Sequence, residues 1–169
     1  IGGDGRDHLE GGDGADRLDG GTHDDVLRGG EGDDILIGGE GADRLEGGAG
    51  DDLYLVTGPY DLKGDSIYDA EGENDKLAYT GTDRLTITRF DSRNGIDEVD
   101  ANGQEIVGDE ENYQLDFQNV YFADSGQIIK AGGGDDFVRG SDVRENLFGG
   151  IGNDRVYGAG GADNLHGEA

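Results

Sequence analysis

From Gly2 the chain repeats a nine-residue unit, Gly-Gly-x-Gly-x-Asp-x-Leu-x, six times without a break. The copies are GGDGRDHLE (2–10), GGDGADRLD (11–19), GGTHDDVLR (20–28), GGEGDDILI (29–37), GGEGADRLE (38–46) and GGAGDDLYL (47–55). The unit returns at Ala131 as AGGGDDFVR (131–139), GSDVRENLF (140–148), GGIGNDRVY (149–157) and GAGGADNLH (158–166). A fixed period decides architecture ahead of local propensity, because every copy must make the same contacts with its neighbours. Each unit divides into a turn, Gly-Gly-x-Gly-x-Asp, and a short strand, x-Leu-x. Side chains alternate along a strand, so the eighth position points inward: Leu9, Leu18, Leu27, Leu36, Leu45 and Tyr54, then Val138, Leu147, Val156 and Leu165. A strand of three residues cannot span a broad core, whereas a stack of units buries a continuous narrow one. The expected fold is all-β and coiled.

The pattern also fixes one carboxylate per repeat beside glycines that free the backbone to turn. Across the chain 40 Asp and Glu face 13 Lys and Arg, a formal net charge of -27, with 36 glycines. Such a composition without a repeat reads as disorder. Carboxylates stacked at the inter-strand spacing of about 5 Å repel one another unless a cation lies among them. Calcium, a hard ion that takes six to eight oxygens, suits carboxylates and turn carbonyls. Nucleic acid is excluded as a partner because phosphate needs a basic footprint, and an anionic membrane surface is disfavoured for the same reason. No apolar run approaches the roughly 18 residues of a transmembrane helix. Cysteine is absent, so there is no disulfide framework. Ile1 falls in register as the ninth position of a preceding unit and Gly167-Glu168 begins another, which predicts a piece of a longer array.

These ten copies resemble the RTX (repeats-in-toxin, haemolysin-type calcium-binding) family, over residues 2–55 and 131–166. The resemblance implies a right-handed parallel β-roll in which two nonapeptides make one coil, with several Ca2+ ions between turns stacked on each edge. The ligands it implies are Asp7, Asp16, Asp25, Asp34, Asp43, Asp52, Asp136, Asp154 and Asp163, with turn carbonyls from Gly2, Asp4, Gly11, Asp13, Gly29, Glu31, Gly38, Glu40, Gly47, Gly149 and Ile151. Two copies depart from the pattern. Thr22-His23 replaces x-Gly in the third, which predicts weaker sites on the edge of Asp7, Asp25 and Asp43 than on that of Asp16, Asp34 and Asp52. Ser141, Arg144 and Glu145 degrade the repeat at 140–148. His23 is read as a tolerated turn residue, and His8 and His166 as outward strand positions.

The expected organisation is a first roll block at 1–55, a β-rich insert at 56–130 and a second block at 131–169. Alternation in the insert predicts strands at 65–68, 76–79, 85–90, 96–99, 104–107, 114–117 and 120–122. Asn94-Gly95 and Asn102-Gly103 are the dipeptides that two-residue hairpins prefer. Residues 64–79 resemble the segments that follow and cap β-rolls in RTX proteins. The acidic turns at 69–75 and 100–105 offer further calcium ligands, but neither fits an EF-hand loop, and a solvated hairpin turn is the preferred reading. Ile35, Ile37, Leu53 and Leu55 share one outer face and call for a cover; the insert is expected to supply it, with Phe137, Phe148 and Tyr157 as a matching patch.

No GxSxG elbow, HExxH helix or P-loop is present, and catalysis is not expected. The leading reading, on the resemblance, is a non-catalytic module that folds on calcium outside the cell, within a type I-secreted adhesin at the cell surface. Two alternatives stay open: a split module that binds carbohydrate or a cell-surface polymer, and an accessory module of a secreted RTX lipase, protease or polysaccharide epimerase. Neighbouring domains of the same large protein are the remaining partners expected.

Overall fold

In the computed structural model, residues 1–69, 71–72, 74–91, 93–108, 111, 113–124 and 126–167 are described. Strands wind into a parallel β-solenoid of about nine coils, and every pairing among them is parallel. The first sheet has seven strands: Gly3–Asp4, Arg17–Thr22, Ile35–Glu40, Leu53–Val56, Lys76–Tyr79, Glu98–Asp100 and Tyr121–Phe122. Opposite it, the second carries His8–Asp13, Val26–Glu31, Arg44–Gly50 and Ser66–Ile67, with Glu71–Gly72 also on Arg44–Gly50. The third runs through Leu85–Thr86, Ile106–Val107, Gln127–Gly133, Glu145–Ile151 and Asn164–His166, and the fourth through Arg89–Phe90, Gln114–Asp116, Phe137–Arg139 and Arg155–Tyr157.

Register follows the repeat. Leu9 pairs with Leu27, Leu27 with Leu45 and Leu18 with Leu36, so one coil takes two nonapeptides, as the resemblance implies. Leu18, Leu27, Leu36, Leu45, Tyr54, Val138 and Leu147 are buried, and Leu9 and Val156 pack against them half-buried. Leu165, on the last described coil, is half exposed.

Residues 56–130 correct the sequence reading. They do not lie over an outer face of the roll; they extend it. Tyr54 pairs with Leu77, Leu77 with Val99 and Val99 with Phe122, while Leu45 pairs with Ile67 and Ile106 with Ile129. One apolar cluster runs from Leu18 through Leu77, Val99 and Ile129 to Leu147, across both expected boundaries. The predicted strands form, with 85–90 broken into two, but none is half of a hairpin. Asn102 and Gly103 both take positive φ, 54° and 70°, yet they turn the chain from one face to the next instead of back along itself. The dipeptide specifies a tight corner, and the partner across that corner is set by the stack.

Coil size explains the aromatic content. Equivalent residues lie 18 apart in the roll, for example Asp16 and Asp34, and 22 or 23 apart beyond it, as for Asp43 and Asp65 or Asp52 and Asp75. The longer coils carry three strands instead of two and enclose a wider core, which close packing must fill. Phe90 stacks on Phe117 at 4.7 Å and Phe117 tilts against Phe122 at 5.2 Å. The nonapeptide spacing then resumes, and two faces suffice again from Glu145 onward. Ile37 is buried, and Ile35, Leu53 and Leu55 are half-buried on the outer side of the first sheet.

Candidate metal centre

In Asp25, Asp34, Asp43, Asp52, Asp136 and Asp154 the two oxygens of the sixth-position carboxylate perform two tasks. Oδ1 accepts the backbone N–H of the equivalent residue one coil earlier: Asp7 N–H donates to Asp25 at 2.7 Å, Asp16 to Asp34 at 2.8 Å, Asp25 to Asp43 at 2.8 Å and Asp34 to Asp52 at 2.7 Å. In the later block Tyr113 N–H donates to Asp136 at 2.7 Å, Asp136 to Asp154 at 3.0 Å and Glu145 to Asp163 at 3.1 Å. These bonds staple the start of one strand to the next and need no ion.

Oδ2 is different. In Asp7, Asp25, Asp34, Asp43, Asp52, Asp136 and Asp154 it is buried and accepts no hydrogen bond. Buried carboxylate oxygens without donors are costly, and here they recur coil after coil. Those of Asp7, Asp25 and Asp34, like that of Asp16, face the first glycine of their own repeat at a place also reached by a carbonyl oxygen from the next coil on that edge, and those of Asp43, Asp52 and Asp154 also face their own first glycine. A Cβ on Gly2 would lie 2.5 Å from Asp7 Oδ2 and 2.6 Å from the Gly20 oxygen; on Gly11, 2.8 Å from Asp16 Oδ2 and 2.6 Å from the Gly29 oxygen. Gly20 and Gly29 face the Gly38 and Gly47 oxygens in the same way. At these four positions a side chain would collide with both oxygens; the equivalent position of the repeat at 131–139 is Ala131. The donor set at these four steps is oxygen alone, one carboxylate and one carbonyl converging at each, which fits a hard cation such as Ca2+.

Of the carbonyls named from sequence, those of Gly29, Gly38 and Gly47 stand beside a carboxylate oxygen, and Gly20 and Gly158 join them. The third-position carbonyls of Glu31 and Ile151 accept N–H bonds from Gly14 and Gly134, at 2.6 and 2.9 Å, and so tie each turn to the turn one coil earlier. For Asp163, Oδ2 faces Gly158 on the last described coil.

Neither departure from the pattern breaks its edge. His23 takes the left-handed conformation of the missing glycine, φ 77°, with its ring nitrogen 3.1 Å from the Thr22 hydroxyl. Asp25 keeps both the staple and the unpartnered oxygen, so the expected inequality between the two edges finds no support in the geometry. In the degraded repeat Glu145 is fully buried, Ser141 donates to its Oε1, and its Oε2 is unpartnered. A Cβ on Gly140 would lie 2.7 Å from that oxygen and 2.8 Å from the Gly158 oxygen. Glutamate therefore delivers its carboxylate to the place where the other repeats deliver aspartate.

Sequence reasoning missed Asp65 as a ligand and set Asp69 and Asp75 aside in favour of a solvated turn. Asp65 continues one ladder, accepting from Asp43 N–H at 2.8 Å, and Asp75 the other, accepting from Asp52 N–H at 2.8 Å. The surviving signal was the second half of the unit, an aspartate two residues before an inward apolar residue, in Asp65-Ser66-Ile67 and Asp75-Lys76-Leu77. Asp69 and Asp75 are buried with Asp52, and ligand oxygens of the three lie within 4.8 Å of one another. The solvated turn expected at 69–75 is thus partly interior.

Burial, reinforced by neighbouring carboxylates, raises the pKa values of these groups against the lowering effect of the staple bonds. Asp34, Asp43 and Asp136 rise, Asp52 and Asp75 reach about 6, and Asp65 about 8. Glu145 is pushed by burial to about 7. Without a cation the fold penalises its own ionised form.

The profile of the RTX calcium-binding nonapeptide repeat matches four times, over residues 1–36, 19–54, 128–143 and 139–169, more than half of the chain. The chain belongs to this RTX family. No curated protein matches it. The RTX matches stop where the coils lengthen and resume where they shorten, so the family covers the narrow parts of one solenoid. Ca2+ is the ion that the family and the donor set both imply.

Proposed function

We propose that this RTX β-roll is a non-catalytic module that folds when it binds calcium outside the cell, as part of a large adhesin exported by type I secretion. The observation that carries the reading is the row of buried, donor-less carboxylate oxygens on successive coils. A net charge of -27 opposes compaction in a low-calcium cytoplasm, and the unfolded chain is the form suited to export. Extracellular modules bind calcium with dissociation constants of about 0.1–1 mM. At about 1 mM calcium, a site of about 0.1 mM contributes roughly 1.4 kcal/mol. Several such sites together reach the whole stability of a domain, about 5–15 kcal/mol.

Calcium titration followed by far-UV circular dichroism tests this. The metal-free chain is expected to be largely disordered and to gain β signal cooperatively near millimolar calcium. Magnesium should act far less well, because it demands tight octahedral geometry and sheds water reluctantly. Full β structure in a chelator would refute the proposal.

A further inference from the structure

The nonapeptide pattern stops after Leu55, and the last coil that obeys it poses a chemical problem. At Gly2, Gly11, Gly20 and Gly29 the aspartate oxygen is joined by the carbonyl oxygen of a first glycine one coil on. Gly47 has no such successor. Ala49 pairs with Glu71 and Gly50 with Gly72, which sets Asp69 opposite Gly47 in the same register. A Cβ on Gly47 would meet Asp52 Oδ2 and, at 2.5 Å, Asp69 Oδ2. On the other edge, the three atoms nearest a Cβ on Gly38 all belong to Asp43, so the substitution is particular to Asp69.

We propose that Asp69 closes the repeat array by supplying from its side chain the oxygen that a glycine carbonyl supplies on earlier coils, forming with Asp52 and Asp75 a terminal calcium site. The proposal rests on the calcium-module reading and extends it to a residue outside the repeats. Asp52 is 1% exposed and Asp69 5%, and Asp52 Oδ2 and Asp69 Oδ1 accept no hydrogen bond. Three carboxylates within 4.8 Å offer only oxygen, which selects a hard divalent cation over zinc or copper.

Tyr54 positions the new ligand. Among the first six repeats it alone replaces leucine at the inward eighth position. From the core its hydroxyl accepts the Gly47 N–H at 2.7 Å and donates to Asp69 Oδ2 at 2.6 Å. The following coil closes over the site: Asp69 N–H donates to the Asn94 oxygen at 3.2 Å, and Gly95 packs so tightly that its Cβ would lie 2.7 Å from Asp69 Cβ. Outer-shell partners of this kind typically change metal affinity about 10–100-fold.

The test uses the whole chain and two readouts. The first is the number of calcium ions bound at saturation. The second is terbium emission excited through tyrosine; the chain has seven tyrosines and no tryptophan, so the part due to an ion beside Tyr54 is read as the emission that Tyr54→Phe removes. Asp69→Asn is expected to bind one ion fewer than wild type and to lose the part of the sensitised emission that Tyr54→Phe also removes, while the remaining ions stay bound. Should that variant not fold at any calcium level, Tyr54→Phe provides the measurement. It keeps the ring in the core and is expected to weaken one calcium step about 10–100-fold. An unchanged ion count and emission in Asp69→Asn, or an unchanged isotherm in Tyr54→Phe, overturns the terminal site. A wild-type chain that binds no calcium overturns the calcium module itself, a distinct result.

Discussion

Asp34 lets the two oxygens of one carboxylate be separated. Its Oδ1 accepts Asp16 N–H at 2.8 Å, while its Oδ2 is buried, donor-less and beside the Gly47 carbonyl. Alanine removes both oxygens and leaves the part-buried Asp16 N–H without this acceptor, at a cost of up to about 1–3 kcal/mol whether or not calcium is present. Asparagine keeps the acceptor and places an amide where Oδ2 stood, within reach of the Gly47 oxygen. In calcium it should lose the site, about 1.4 kcal/mol at tenfold saturation. In a chelator it should gain about 1 kcal/mol, from one new hydrogen bond and from removing a buried charge that has no counter-charge. The sign of Asp34→Asn therefore reverses with calcium, and that of Asp34→Ala does not. Urea unfolding by circular dichroism across a calcium series, extrapolated to zero calcium, reads both. If asparagine matches alanine at low calcium, the staple is not made by Oδ1; if it matches wild type at millimolar calcium, Oδ2 is not a ligand.

Three further outcomes follow from the same geometry. Asp52 and Asp75 near 6, Glu145 near 7 and Asp65 near 8 all lie above their unfolded values, so their protonated forms favour the fold. The calcium-stripped chain should gain β signal as pH falls from 8 towards 5, its stability being fullest below about 4 and lost as pH rises through 6 to 8; loss of structure on acidification over that range would contradict this. His23→Gly should stabilise by about 0.5–1 kcal/mol, since a left-handed non-glycine costs about 1–2 kcal/mol and glycine returns part of that in chain entropy; a lower urea midpoint would count against it. Phe117→Ala should cost about 3–5 kcal/mol, because the ring is fully buried between Phe90 and Phe122, and hydrogen exchange should show protection falling in residues 2–46 as well as in 65–122. Loss confined to 65–122 would mean that the wide coils unfold alone.

The roll was legible because its period forces the same contact on every copy: Leu18, Leu27 and Leu36 pair as the alternation requires. The wide coils were legible only in part. Lys76–Tyr79 and Gln114–Asp116 are strands where alternation put them, but their partners lie about 23 residues away and no fixed period announces them. Asn102-Gly103 gave the corner without its direction. Asp69 was obscure for a physical reason: it acts by replacing a backbone carbonyl, and backbone ligands leave no residue signature to be replaced. Glu145 was obscured in the opposite way, since a longer side chain and the Ser141 hydroxyl rebuild the usual carboxylate position from unusual residues.

The central claim is that the buried, donor-less carboxylate oxygens are the calcium ligands. Ion positions in crystals grown with calcium test it most directly. Ions are expected about 2.3–2.6 Å from Oδ2 of Asp25, Asp34 and Asp43 and from the Gly47 carbonyl oxygen, inside the stacked turns. Ions held instead by the outward neighbours Asp24, Asp33 and Asp51, with the Oδ2 atoms satisfied by donors of the protein itself, would contradict it.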